Sequence, residues 1–332
     1  LEKLAAELGG LETAIADVSR PETVRALVER GDVLLSTVGP FVRSGDPAVE
    51  AAVDAGALYL DSTGESGFIR RVFEHYGPQA EKAGTTLLTA FGCDWVPGNL
   101  AGELALREAG DSGVKLEIGY FTDSGISGGT KSSSVGAILD KSYAFRGGRL
   151  RTEPAGSRVR SFDLPSGRSA TGVSVGGTEH FALPAEHPAL KEIGVHLGVD
   201  GSDSKVMPLA MHALPLLARA GGLITGIPAV NKGLRSVADK RIKGSTGGPS
   251  EESRARTSST IVARALGANG NERANVTLKG VNPYTFTFEI LAWGAQQLAE
   301  SPPEQTGALG PTQAFPIDVL EEGVAESGLT RA

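Results

Sequence analysis

The chain has 332 residues, of which 40% are apolar and 21% charged, with a formal net charge of −7. That length accommodates two domains or one elaborated domain, and the acidic balance gives no reason to expect a nucleic-acid partner. The single cysteine, Cys93, excludes an internal disulfide framework and fits a reducing compartment.

Residues 1–9 read as a helix with Leu1, Leu4 and Leu8 on one face and Gly9 at its exit. A chain that opens inside an amphipathic helix is expected to have lost its beginning, about 40 to 60 residues or one βαβ half-unit. Residues 11–16 read as a short strand ending at Asp17. Ser19-Arg20-Pro21-Glu22 has the pattern of a capping box, followed by a helix that carries Val24, Leu27 and Val28 on one side and stops at Gly31. Residues 32–41 read as a short buried strand closed by a Gly39-Pro40 turn. Gly39 has no side chain, so a flat ligand can approach its backbone; the plainer alternative is a tight strand exit. Asp46-Pro47 opens the next helix, with Val49, Ala52 and Val53 inward and Gly56 as its stop. A strand over 57–61 leads into Ser62-Thr63-Gly64-Glu65, a helix runs to about residue 83, and a strand over 85–90 runs into Phe91-Gly92-Cys93-Asp94-Trp95-Val96-Pro97. Asn99 begins a helix through Leu106. This alternation over 1–118 predicts a Rossmann-like doubly wound parallel sheet, whose ligands sit outside the carboxyl ends of the strands.

The pattern then changes. Val114, Leu116, Ile118 and Tyr120 alternate as in a half-buried strand. A helix-like run covers 131–145, and 147–181 is rich in Gly, Arg and Ser with short strand-like pieces. Ile193, Val195, Leu197 and Val199 alternate again, and 258–266 with 274–281 form an expected hairpin around Ala268-Asn269-Gly270-Asn271. Region 119–283 is therefore expected to be an α+β substrate domain on a mostly antiparallel sheet. Residues 284–332 are expected to return helices to the first domain. Within the middle region, 206–230 is nearly all apolar and is followed by basic residues up to 243. Its prolines, glycines and Arg219 argue against a transmembrane helix. A buried hairpin, a lid over an apolar pocket, and a peripheral membrane contact through 206–243 are the readings it supports.

The residues offer no metal-ligand spacing, and Gly125-Ile126-Ser127-Gly128-Gly129 matches a hydrolase elbow only in broken form. Gly128-Gly129-Thr130 ahead of a helix could hold an anion or could be a plain helix cap. Cys93 follows a sheet strand, but single cysteines are mostly inert packing residues. Asp94 is a better polar candidate, with a turn role beside Pro97 as its plain alternative.

Taken in order, Ala16-Asp17-Val18, Thr37-Val38-Gly39-Pro40-Phe41, 55–65, 91–97, 127–130, Gly248-Pro249-Ser250-Glu251-Glu252 and Asn282-Pro283-Tyr284 resemble the saccharopine dehydrogenase-like oxidoreductases, and most closely their trans-acting enoyl reductase branch. The resemblance implies an NAD(P)-binding Rossmann domain and a second, sheet-containing domain. It implies that Asp17 and Val18 lie by the adenine end of NADP or NAD, that Val38, Gly39 and Pro40 lie along the nicotinamide side, and that Thr63, Gly64 and Glu65 line the cleft opposite 92–97. The family's Gly-rich phosphate turn has no counterpart after residue 1, and Cys93-Asp94-Trp95 stands where Phe-Asp-Ser is expected. The function so implied is an enoyl reductase on a small acyl, lipid-like substrate, with Asp94, Tyr120 and Lys131 as proton-donor candidates. The alternatives are a saccharopine-type amino-acid dehydrogenase, for which Arg146, Arg149 and Arg151 could hold a polyanion, and a non-catalytic membrane-associated protein on a degenerate dehydrogenase fold. A cytoplasmic protein, peripheral at the membrane and homodimeric, completes these expectations.

Overall fold

The computed structural model of the chain describes residues 2–122, 141–199 and 249–332. Its N-terminal part carries helices α1 (Glu2–Glu7), α2 (Pro21–Arg25), α3 (Phe41–Ser44), α4 (Asp46–Ala55), α5 (Ser66–Arg71), α6 (Gly77–Ala83) and α7 (Val96–Ala109), with strands β1 (Val33–Ser36), β2 (Leu58–Asp61) and β3 (Thr86–Leu88) between them. The second part carries β4 (Lys115–Thr122), β5 (Lys141–Arg146), β6 (Arg149–Pro154), β7 (Val159–Asp163), β8 (Ser169–Val175), α8 (Glu179–Glu186), β9 (Glu192–Val199), α9 (Glu251–Ala255), β10 (Ser259–Leu266) and β11 (Glu272–Gly280). The chain closes with α10 (Pro283–Glu300), β12 (Gly307–Ala308), α11 (Pro311–Ala314), α12 (Ile317–Glu326) and β13 (Leu329–Arg331).

The expected fold class is borne out: a parallel sheet and a second, mostly antiparallel sheet. Strands β1, β2, β3 and β12 pair in that order, all parallel. Alternate residues serve opposite faces, as strand geometry requires. Tyr59 and Leu87 bury against Val49, Ala52 and Ala80 of α4 and α6. Leu60 and Leu88 bury against Ile290 and Leu291 of α10. Both helices α4 and α6 end on a glycine in the left-handed region, Gly56 and Gly84, each at φ 71°. The second sheet runs β13-β11-β10-β4-β9-β5-β6. Among the described residues its one parallel pair is β4 with β9, and the far edge of β9 is shared by β5 and β8. The hairpin β10–β11 forms as its sequence predicts. Helix α7 lies against β4, β10 and β11.

Several local expectations are corrected. Residues 11–16 form no strand: no neighbour hydrogen-bonds their backbone into a ladder, and Leu11 and Ile15 are exposed. Among the described residues, strand β1 pairs with β2 alone, and Leu35 stands exposed rather than buried. In α1 it is Ala5 that is buried, while Leu4 and Leu8 face out. The capping box before α2 does not form. The helix starts after Arg20, and the Ser19 hydroxyl donates to Asp17 instead. Helix α7 begins at Val96, not at Asn99. The helix expected over 131–145 is strand β5 in its described part. There Tyr143 and Phe145 bury within the core shared with α7, and β5 pairs with β6 and β9. Aromatic side chains fit such a pleated surface. Residues 131–140, Gly128-Gly129-Thr130 and the apolar-basic segment 206–243 lie outside the described residues. Among the described residues, no helix is long and apolar enough to cross a membrane.

Helix α10 is fastened where the parallel sheet meets the larger core. Phe91, just past β3, stacks parallel to Trp293 at 6.5 Å and meets Phe315 edge-on at 5.8 Å. A Cβ at Gly294 would overlap the Phe91 ring. Gly294→Ala should therefore destabilise the fold by about 1–3 kcal/mol through overpacking, despite the helix propensity that alanine gains. The midpoint of urea unfolding reads this directly.

Candidate functional site

Three strand exits converge at the carboxyl end of the parallel sheet. Asp61 closes β2, and its carboxylate is fully buried. It accepts hydrogen bonds from the Thr63 amide (2.8 Å), the Ala90 amide (2.8 Å) and the Thr89 hydroxyl (2.7 Å). One side chain thus ties the β2 exit to the β3 exit. Burial pushes its pKa up to about 6, and these donors hold it from rising further. The Thr63 hydroxyl in turn accepts from the Glu65 amide at 3.1 Å. The Glu65 carboxylate reaches back to the β1 exit, where it accepts from the amides of Phe41 (2.8 Å) and Val42 (2.9 Å). These are opening amides of α3, which have no partner within their own helix. Glu65 is therefore the clamp on the β1 exit. Beside that clamp, Val38, Gly39 and Pro40 are exposed.

Gly64 faces Asp94 across the cleft, where a Cβ on Gly64 would sit 2.9 Å from Asp94 Oδ2. Asp94 is half-buried and engages no hydrogen-bonding or ionic partner among the described residues. Burial pushes its pKa up to about 6. Trp95 follows, fully buried. Its carbonyl accepts from Asn99 Nδ2 at 2.8 Å, and the same amide group donates to Thr178 Oγ1 at 2.8 Å. Tyr120, from the centre of β4, meets the Trp95 ring edge-on at 5.1 Å and donates its hydroxyl to Glu179 Oε1 at 2.7 Å. Glu179, at the start of α8, is fully buried, and burial pushes its pKa up to about 8, with Asp94 adding to the rise. The Tyr120 hydroxyl is pushed well up by burial and by Glu179. Two glycines make room for this pair. A Cβ on Gly98 would overlap the Tyr120 hydroxyl, and one on Gly177 would overlap the Glu179 carboxyl. The Gly176 carbonyl accepts from Ser66 Oγ at 2.8 Å, which ties the loop before α8 to the start of α5.

Of the residues singled out from the sequence, Val38, Gly39, Pro40, Thr63, Gly64, Glu65, Asp94 and Tyr120 belong to this connected region. Asp17 has a local role: its carboxylate accepts from the Ser19 amide (2.9 Å) and hydroxyl (2.7 Å), bonds that lower its pKa. Val18 follows it in the same turn. Lys131 lies outside the described residues. Cys93 is buried, and burial with the nearby Asp94 pushes its thiol well up, away from the thiolate a nucleophile needs. Sequence reasoning missed Asp61 and Glu179. The Gly176-Gly177-Thr178-Glu179 run before a helix was the available signal for the latter.

No family model matches the chain. Curated relatives named trans-acting enoyl reductase, from Mycobacterium bovis and Mycobacterium tuberculosis, are 34% identical over 146 residues, and one from Mycobacterium ulcerans is 33% identical over 146. The match covers 42% of this chain and only 35% of the length of those relatives. Among solved structures, apo saccharopine dehydrogenase (L-Glu forming) from Saccharomyces cerevisiae superposes with a TM-score of 0.57 at 11% identity, covering 99% of this chain and 91% of the other. The first similarity bears out the resemblance carried by the motifs, and the second shows the shared fold.

The buried acid pair sets a pH dependence. The unfolded chain ionises Glu179 near 4.5, whereas the folded one does so near 8. Its contribution to stability is full below the lower value and is lost as pH rises toward the upper one. Asp61 and Asp94, raised to about 6, act in the same direction at lower pH. Stability should therefore fall as pH rises from about 4.5 to about 8, and Glu179→Gln should flatten the part above about 6. Urea midpoints measured across that range test it.

Proposed function

We propose that this chain is part of a nicotinamide-dependent oxidoreductase that reduces the carbon–carbon double bond of an acyl, lipid-like substrate, using NADPH or NADH. The observation that carries the reading is Asp94: a half-buried carboxyl without a partner among the described residues, opposite Gly64, at the converging strand exits of a Rossmann-like sheet. Ligands of open α/β sheets sit at that end. The relatives named trans-acting enoyl reductase support the class of reaction, and the motif resemblance supports the cofactor.

The residues fit one end of the cofactor. Gly39 and Pro40 offer exposed backbone at the sheet's ligand-binding end, and Gly64 keeps the space before Asp94 free of a side chain. The pyrophosphate end is different: the sequence contains no Gly-x-Gly-x-x-Gly turn. These residues would therefore hold the nicotinamide, which when bound supplies a hydride. The protein's own part is to orient the substrate and to hold a proton. A general acid works best with a pKa near the working pH, and Asp94 at about 6 meets that condition. Its carboxyl proton would go to the substrate carbon next to the carbonyl. Tyr120 and Glu179 lie behind it as a buried, hydrogen-bonded pair that keeps a net negative charge out of the cleft while Glu179 stays protonated. Glu65 keeps the β1 exit in place.

Two outcomes follow for the full-length protein. Asp94→Asn should lower kcat for an enoyl thioester by about 10²-fold or more, the usual weight of a positioned acid, and should remove the decline in rate expected of the parent as pH rises above about 6. Cofactor titration should be little changed. A variant with parental kcat would overturn the assignment of Asp94. Gly39→Val tests the nicotinamide side. A Cβ on Gly39 would meet the Phe41 ring and amide at ordinary contact distances of 3.6–4.0 Å, and the site is exposed, so thermal stability should hold. Affinity for NAD(P)H should drop at least about tenfold, or 1.4 kcal/mol, as read by fluorescence titration. Unchanged affinity would leave this turn a strand exit only.

A further inference from the structure

The geometry points to a second binding site, for a phosphate or carboxylate group, on the β5–β6 hairpin at the edge of the large sheet. The hairpin turns on Gly147 and Gly148, both at positive φ (60° and 73°), so that Arg146 and Arg149 pair across it. A cavity of about 390 Å³ opens beside it, lined by Arg146, Arg151, Thr152, Glu153, Arg158 and Glu192, with Gly147 at the turn. Three guanidinium groups face two carboxylates there, so the wall carries a surplus of positive charge.

The inner wall is incompletely satisfied. Arg146 is largely buried, with 13% of its side chain exposed, and donates Nη1 to the Ile193 carbonyl at 3.2 Å. Its Nε lies 3.9 Å from Glu153 Oε2, too far for a hydrogen bond, and both atoms are buried without a hydrogen-bond partner. The other carboxylate, Glu192, stands 3.8 Å from Arg146 Nη1 and is shared with Lys115 at 3.4 Å. Only Arg158 binds Glu153 closely, at 2.7 Å. Arg151 reaches no carboxylate among the described residues; its Nε donates to the Arg146 carbonyl at 3.3 Å. One cation is held in the wall by a single carbonyl hydrogen bond and two long ion contacts, and a second stands at the rim with donors to spare. Such donors match the paired oxygens of a phosphate or carboxylate. A bound oxyanion would bridge Arg151 and Arg146 and relieve the surplus charge. This site needs no part of the reductase reading.

Isothermal titration of the chain at low salt with inorganic phosphate, a phosphate monoester and malonate tests the proposal and separates phosphate from carboxylate sources. Saturable binding of at least one is expected. Arg151→Gln should weaken it about tenfold or more. Arg149→Glu, on the same hairpin but outside the cavity wall, should weaken it less than threefold, although it changes the net charge more. Both positions are exposed, and circular-dichroism melting checks that the variants fold. Absence of saturable binding, or an equal loss in the two variants, would overturn the site and leave only diffuse attraction to a basic hairpin.

Discussion

Three buried donors depend on one carboxylate. The amides of Thr63 and Ala90 and the hydroxyl of Thr89 all end on Asp61. Without it, each donor would be orphaned away from water, at about 1–3 kcal/mol apiece. The interaction also has a geometric consequence. The exits of β2 and β3 leave the sheet at a fixed separation, which places Gly64 beside Asp94. Glu65 extends the same device to β1, using its carboxylate to cap α3. The rim of the site is thus built by side chains capping backbone, an arrangement that tolerates an open cleft because it does not rely on packing across it.

Acidic groups are treated in two ways in this molecule. Burial would raise Glu103, but His187 and Arg107, each at 2.6 Å, hold it below its ordinary value. It is a structural ion network between α7 and the end of α8. Asp61, Asp94 and Glu179 are raised instead, burial being the largest cause for each. Asp61, Asp94 and Glu179 are the raised acids at the cleft; burial also raises Glu117 and Glu186 outside the site, and Asp17 is lowered like Glu103. A carboxyl that titrates near neutrality can exchange a proton under working conditions, whereas a paired one cannot. One of the three also has its negative form opposed by a neighbour. Asp94 raises Glu179, and both raise the Tyr120 hydroxyl.

The two sheets are joined by contacts that no single element announces. Ser66 at the start of α5 reaches the Gly176 carbonyl, and Arg70 Nη1 donates to Thr152 Oγ1 at 3.0 Å. Phe73 stacks on Phe181 at 4.6 Å. Helix α5 and the turn after it therefore carry the strand exits of the first sheet onto the second. The shared core includes Leu60 and Leu88 of the parallel strands together with Ile118 and Ile261 of the large sheet.

By itself the sequence determined what repeats locally. Alternating apolar residues marked β4, β9 and the β10–β11 hairpin; a glycine able to take positive φ marked the end of α4; and strand–helix alternation marked the parallel sheet. Its ordered motifs also carried the resemblance to the trans-acting enoyl reductases. Where local pattern was ambiguous the tertiary structure decided. Residues 11–16 have strand character but no neighbouring ladder, and 141–145 read as helix until Tyr143 and Phe145 found a sheet to bury in. The acid pair at the site was beyond any pattern. Tyr120 and Glu179 are 59 residues apart in sequence, and nothing periodic links them. Their meeting follows from β4 and α8 closing on one core, with Gly98 and Gly177 leaving the space, and the resulting burial, not the residue type, sets the proton on Glu179.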